Sequence, residues 1–322
     1  MDAALVNAIL CLLGLAGLYF GGEKLVTGSV TTANNLKIKP QLIAITIVAL
    51  GTSFPELVVS VNAVVKKSQG IAWGNVVGSN ISNLLCVLGI AAIVTPLSIS
   101  SKSLKVELFW LVFASGVLVF SVKMFANISG WGGAILIALL IAAIFHMTLS
   151  SLQVQKKSNQ NHVGETGSKS TAWMGLLTIF LGVIILIGSA ELVVYSAKKI
   201  AEIFVVPEAL IGLTIVSLGT SLPEVAASIV AVQRGHADIA IGNVIGSNIF
   251  NSLGIIGVAA LASGTNQFIA PGSFIGFDIP VMFAVTIVLG AVFLLTKRIS
   301  RHMGIVCVLS YLVYISATFQ QF

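Results

Sequence analysis

Gly51-Thr52-Ser53-Phe54-Pro55-Glu56 returns later in the chain as Gly219-Thr220-Ser221-Leu222-Pro223-Glu224. Each copy lies in an otherwise apolar stretch, with Leu42 to Leu50 before the first and Ala209 to Leu218 before the second. A carboxylate inside such a run is costly in lipid, and its presence marks a functional site by default. The copies are offset by 168 positions, and the same offset holds elsewhere without a gap. Gly74-Asn75, Gly78-Ser79-Asn80-Ile81 and Asn83 match Gly242-Asn243, Gly246-Ser247-Asn248-Ile249 and Asn251. Glu23 matches Glu191. The chain is a duplicated unit with paired polar sites.

Hydrophobic residues make up 57 % of the sequence and charged ones 9 %, with a mean hydropathy of +1.05. A soluble domain carries roughly 25 % charged residues. Apolar runs that reach the ~20 residues of a membrane-spanning helix set the class: an all-α integral membrane protein. Ten transmembrane helices are expected, near 3–33, 41–65, 71–94, 104–124, 130–152, 172–199, 208–232, 238–262, 274–296 and 302–319. The polar segment between the fifth and sixth lacks hydrophobic periodicity and reads as a linker. The expected division is a first five-helix repeat at 1–152, a cytosolic linker at 153–171 and a second five-helix repeat at 172–322. Five is odd, so two halves of the same internal order insert in opposite orientation. This is the inverted-repeat plan of many secondary transporters, with the site near the bilayer midplane.

Lysine and arginine set the orientation. With the N-terminus outside, eleven fall in inner loops (among them Lys37, Lys39, Lys105, Arg234, Lys297, Arg298 and Arg301) and five in outer ones (Lys66, Lys67, Lys123, Lys198 and Lys199). The expectation from this count is both termini outside. The net charge of +6 therefore reflects topology and implies no nucleic acid. Cys11, Cys86 and Cys307 sit in apolar runs and imply no disulfide framework. The first run has Asp2 in place of a basic leader and reads as a retained helix.

On a helix, Thr52, Ser53 and Ser60 share a face with Glu56. Thr220, Ser221 and Ser228 do the same for Glu224. Pro55 and Pro223 cannot donate a backbone hydrogen bond, so the carbonyls of Gly51 and Gly219 need another partner. Oxygen-only ligands of this kind suit hard cations such as Ca²⁺, Na⁺ or Mg²⁺. Asn75, Ser79 and Asn83 recur every four residues as one polar stripe, and Asn243, Ser247 and Asn251 as its partner. Gly74, Gly78, Gly242 and Gly246, at small-xxx-small spacing, would let these helices pack close to the second and seventh. A single serine or glycine in a span is usually packing. A glutamate beside a kink, repeated with hydroxyls on its face, is not. Glu23 and Glu191 lie toward span ends, as gate or anchor residues. Glu107 and Asp278 have no acidic counterparts and are expected at the membrane interface, with Trp73, Trp110, Trp131 and Trp173 as interfacial belts. His146, His162, His236 and His302 show no metal-ligand clustering.

The paired GTS-x-PE and GN-x-x-GSN-x-x-N segments resemble the two α-repeats of the Ca²⁺:cation antiporter superfamily, the sodium/calcium exchangers, and among them the short prokaryotic members. The resemblance covers essentially the whole chain. It implies an antiporter exchanging Ca²⁺ for Na⁺ by alternating access, with the first and sixth helices sliding past a four-helix core. It implies Glu56 and Glu224 as shared cation ligands, with Thr52, Ser53, Thr220 and Ser221 coordinating through oxygen. Ala49 and Ser217 would supply backbone carbonyls, and Ser79, Asn83, Ser247 and Asn251 would complete the ring. Some exchangers carry aspartate at the position matching Asn251 or Asn83, and this chain departs from them with asparagine at both. H⁺ or K⁺ are the alternative coupling ions. A cation channel is the rival from another class. No enzyme constellation is evident. The expected partners are the transported ions and the lipid bilayer, with no resident cofactor and no obligatory protein partner.

Overall fold

In lipid every backbone N–H and C=O has to be satisfied within the chain, which leaves the helix as the element for apolar runs of this length. The computed structural model describes residues 3–98, 104–158, 169–204, 219–264 and 268–319. Its helices are α1 (Ala3–Leu36), α2 (Pro40–Thr52), α3 (Phe54–Val65), α4 (Gln69–Val94), α5 (Leu104–Phe125) and α6 (Gly130–Ser158) in the first half. The second half has α7 (Lys169–Ile203), α8 (Leu222–Gln233), α9 (Ala237–Ala262), α10 (Phe274–Thr296) and α11 (Arg301–Phe319). Among the described residues eight helices can cross a bilayer alone, and α2 with α3 forms a ninth span bent by 42°. α8 is the described part of the seventh span, whose earlier residues 205–218 lie outside the described set. The chain is an all-α membrane protein of ten transmembrane helices, arranged as two inverted five-helix repeats.

Two short ladders fix the inversion. β1 (Leu97–Ser98) pairs with β4 (Arg298–Ile299), and β2 (Asn127–Ile128) pairs with β3 (Phe268–Ile269). β1 follows the third span and β2 the fourth, so they lie on opposite membrane faces. β3 follows the eighth span yet pairs with β2. The loop after the third span and its repeat counterpart after the eighth are therefore on opposite faces.

α4 and α9 form the centre, with 78 % and 83 % of their apolar windows buried, against 17 % and 22 % for α1 and α7. α1 and α7 lie against each other at the periphery. A Cβ added at Gly21 would come within 3.1 Å of the Gly182 carbonyl, so their backbones touch. α9 is pressed on α2 in the same way, since a Cβ at Gly246 would lie 2.4 Å from the Ile45 carbonyl.

Several expectations about the edges are corrected. Glu107 and Asp278 are buried, not interfacial. The Gln41 amide donates to Glu107 at 2.5 Å, and the Tyr314 hydroxyl donates to Asp278 at 2.8 Å. Trp73 is fully buried because the β2–β3 ladder lays Phe268 over it, with ring centroids 4.8 Å apart. Trp110 is buried too, its indole N–H donating to His146 at 3.1 Å. Trp110 and His146 are the repeat counterparts of Asp278 and Tyr314. One helix-to-helix hydrogen bond is thus kept in both halves with different chemistry. Trp131 and Trp173 are exposed, as a belt requires. α6 and α7 reach into the expected linker from both ends, leaving 159–168 outside the described residues.

Candidate cation site

The repeated motif breaks its helix in each half. Ser53 departs from helical geometry at φ −86°, ψ 9°, and Ser221 at φ −86°, ψ 0°. α3 and α8 then start with Pro55 and Pro223 in their first turn, where a missing N–H costs nothing. Glu56 and Glu224 fall in the same first turns. There the exposed N–H ends of the helix favour a negative charge. The polar helices are interrupted as well. α4 carries a π-helical turn at Asn83–Val87 and α9 one at Phe250–Ile255, so each bulge takes in its own site asparagine, Asn83 or Asn251. Such bulges re-aim side chains and are frequent at functional sites.

These breaks accompany the burial of most of the predicted residues. Glu56, Glu224, Thr52, Ser53, Ser221, Ala49, Ser79, Asn83, Ser247 and Asn251 are all buried. Thr220 is half-buried, and Ser217 lies outside the described residues. Glu56 and Glu224 enter one buried cluster from opposite repeats. The Ser53 hydroxyl donates across the repeats to Glu224 at 3.0 Å, and the Thr52 hydroxyl donates to Asn243 at 3.2 Å. Ser79 lies near Glu56, and Ser247 near Glu224. The Ala49 carbonyl already accepts the Ser53 N–H at 3.0 Å and the Thr52 hydroxyl at 3.5 Å, so it is engaged within its own helix.

A second set of amides braces the first. Asn83 donates to Asn248 at 3.2 Å, Asn248 to the Asn80 carbonyl at 3.2 Å, and Asn80 to Ser252 at 2.8 Å. The sequence showed Asn80 and Asn248 inside the repeated GSN motif without giving them a role. Helical spacing places them off the Asn75–Ser79–Asn83 stripe, and only the contact between α4 and α9 reveals that they tie the halves together.

The two half-sites are not in the same state. Asn75 donates to the Glu56 carbonyl and to Ser60, both at 2.9 Å. Its counterpart Asn243 is turned to Thr52 instead, and Ser228, the counterpart of Ser60, has no partner among the described residues. Ser53 reaches Glu224, whereas the Ser221 hydroxyl does not reach Glu56.

The chemistry of the cluster follows from its unmet bonds. Both carboxylate oxygens of Glu56 and Oε2 of Glu224 are buried without a hydrogen-bond partner among the described residues. So are Oδ1 of Asn83, both amide atoms of Asn251 and the hydroxyls of Ser221 and Ser247. Buried polar atoms without partners are costly. Two acidic groups amid hydroxyls and amide oxygens match a dehydrated hard cation, which takes 6–8 oxygens when it is Ca²⁺. No group of three or more His, Cys, Asp or Glu able to hold a metal occurs among the described residues. The cluster's own donors are carboxylate, hydroxyl and amide oxygens, unlike the nitrogen and sulfur sets that hold zinc.

The fold sets two inverted halves around one buried polar cluster where they meet, which is the plan of a secondary transporter. The sodium/calcium exchanger protein family matches the chain over residues 6–149 and 174–320, and the chain belongs to that family. Among its relatives is the protein CaxA of Alkalimonas amylolytica, 35 % identical over 96 % of this chain and 98 % of its own. Another is the sodium/calcium exchanger MaX1 of Methanosarcina acetivorans, 30 % identical over 98 % and 99 %. The solved structure of the sodium-calcium exchanger NCX_Mj soaked with Na⁺ and Sr²⁺ superposes with a TM-score of 0.82 at 29 % identity, covering 97 % of this chain and 99 % of that one.

Proposed function

We propose that this protein exchanges Ca²⁺ for Na⁺ by alternating access, with the cations bound between Glu56 and Glu224. The observation that carries the reading is the pair of buried carboxylates, one from each repeat, three of whose oxygens have no partner among the described residues. Ser53, Ser79, Ser247, Asn83 and Thr52 would contribute oxygens to a coordination shell, and Ser221, Asn251, Thr220 and the carbonyls of Ala49 and Ser217 are proposed to complete it. The ions are cargo, so binding must be strong enough to strip water and weak enough to release. Membership of the exchanger family, and the Na⁺ and Sr²⁺ soaks of the similar NCX_Mj structure, support Na⁺ and a divalent cation as the exchanged pair. The lysine and arginine count supports an inner-membrane protein with both termini outside, its repeats at 1–152 and 172–322 joined by a cytosolic segment.

The test is ⁴⁵Ca²⁺ uptake into proteoliposomes under imposed gradients. Uptake driven by an outward Na⁺ gradient is expected. Uptake that needs K⁺ as well, or that follows a proton gradient, would move the assignment to one of those coupling ions. Flux without any trans cation would make the protein a channel. Orientation is read with impermeant thiol reagents on Ser158→Cys and Thr265→Cys, which should label from opposite sides.

A further inference from the structure

Eleven acidic and seventeen basic residues are spread over the chain, yet only three charged positions recur at the repeat offset. One is Glu56 with Glu224. The other two are Glu23 with Glu191, and Lys66 with Arg234. The structure joins these last two sets. The Arg234 guanidinium donates to the Glu23 carboxylate and so ties α1 to the end of α8. Repeat symmetry makes Lys66 with Glu191 the counterpart of that contact. No such pair forms among the described residues, and both side chains are exposed.

The local backbone is not the cause. Lys66 ends α3 at φ −81°, ψ 7°, and Arg234 ends α8 at φ −86°, ψ 5°. What differs is where the peripheral helices sit. Gly22 on α1 is packed on α8, where an added Cβ would come within 2.9 Å of Val230. Its counterpart Ala190 and the adjacent Glu191 instead line a cavity of about 280 Å³ together with Pro55 and Val59 of α3. α1 and α7 themselves meet in a symmetric seam. Gly21 faces Gly182, and Gly14 faces Ser189, and the repeat offset converts one contact into the other. The two helices therefore form one body, closed on α8 at one end and standing off α3 at the other. A shift that parts Glu23 from Arg234 carries Glu191 toward Lys66.

We propose that Glu23–Arg234 and Glu191–Lys66 are alternative ion pairs, positioning residues that hold the α1–α7 body at either end of its travel, the first formed in this structure. The proposal rests on the transport reading above. Exposed ion pairs stabilise weakly, which suits a latch that must release in every cycle; each should bias the two states by about two- to five-fold.

Paired spin labels read the two ends separately, in a background where Cys11, Cys86 and Cys307 are replaced by serine. One pair is Lys24→Cys with Gln233→Cys; the other is its repeat counterpart, Leu192→Cys with Val65→Cys. Glu23→Gln should lower the short-distance population of the first pair and raise that of the second, by about two- to five-fold. Lys66→Gln should do the reverse. The charge exchange Glu23→Arg with Arg234→Glu should restore the original distributions, which a purely structural role for either residue would not do. Distances that ignore these substitutions, that move in the same sense for both, or that the exchange fails to restore would overturn the latch. Labels that respond in a protein without Na⁺-driven Ca²⁺ flux would keep the latch and remove the exchanger reading.

Discussion

Replacing Glu56 or Glu224 by glutamine changes one charge and almost no volume. Both side chains are buried, at 1 % and 0 % exposure, so water cannot take over the role of the lost carboxylate. With both ionised, one Ca²⁺ neutralises the cluster. With one, each bound Ca²⁺ leaves an uncompensated positive charge in a poorly solvated site. Breaking a buried charge pair by removing one partner costs about 3–5 kcal/mol, so Ca²⁺ affinity should fall by roughly 10²- to 5 × 10³-fold. The cation-free protein should behave oppositely. It keeps two carboxylates away from water with unpartnered oxygens, and glutamine removes part of that cost. In Glu224→Gln the side-chain carbonyl can still accept the Ser53 hydroxyl, which now contacts Oε1 at 3.0 Å. Thermal unfolding in detergent with and without Ca²⁺ separates the two effects. At 100 times its dissociation constant, Ca²⁺ stabilises the unmutated protein by about 2.7 kcal/mol, a rise on the order of 5 °C. The mutants should melt no lower than the unmutated protein without Ca²⁺ and should gain nothing from the same addition. Their ⁴⁵Ca²⁺ flux should vanish. A mutant that keeps the Ca²⁺-dependent rise, or carries flux within ten-fold of the unmutated protein, would refute the assignment of that carboxylate as a ligand.

Three further outcomes follow from the packing and the site. Gly246→Val places a Cβ where only 2.4 Å separates it from the Ile45 carbonyl, so α9 has to back away from α2. The expected loss is about 1–3 kcal/mol, visible as a lower melting temperature together with lost transport, whereas unchanged melting would show that the contact yields freely. Asp278→Asn and Glu107→Gln keep an acceptor for Tyr314 and Gln41 and should leave flux within about two-fold; Asp278→Leu strands the Tyr314 hydroxyl and should cost about 1–3 kcal/mol of stability. Asn251→Asp adds a third acidic group to a site that two monovalent cations or one Ca²⁺ would neutralise. It should change the Na⁺ dependence of exchange more than Ca²⁺ affinity, and the potential at which Ca²⁺ flux reverses in proteoliposomes measures it. A reversal potential in the unmutated protein that fits three Na⁺ per Ca²⁺ would show that side-chain charge does not set the stoichiometry.

Most of the site was legible because duplication and burial leave separate marks in one dimension. A glutamate that interrupts an apolar run is improbable once, and its return 168 positions later with the same neighbours marks the candidate residues without coordinates. The burial of Glu107 and Asp278 was not legible. Both lie near span ends in the sequence, and only the tertiary contacts with Gln41 and Tyr314 take them inside. The same limit applies to Trp73, whose burial depends on Phe268, 195 positions away.

The sequence by itself determined the class, the spans, the inversion of the halves and the candidate residues of the cluster, because hydropathy, parity and repetition are properties of order along the chain. It could not determine the state. Two halves with matching motifs read as equivalent, and nothing in their order says that Ser53 reaches Glu224 while Ser221 misses Glu56, or that Glu23 holds Arg234 while Glu191 stands apart from Lys66. Those differences arise where α1 and α7 settle against the core. Which contacts form at each end depends on how the duplicated halves pack against one another, so the choice belongs to the assembled structure.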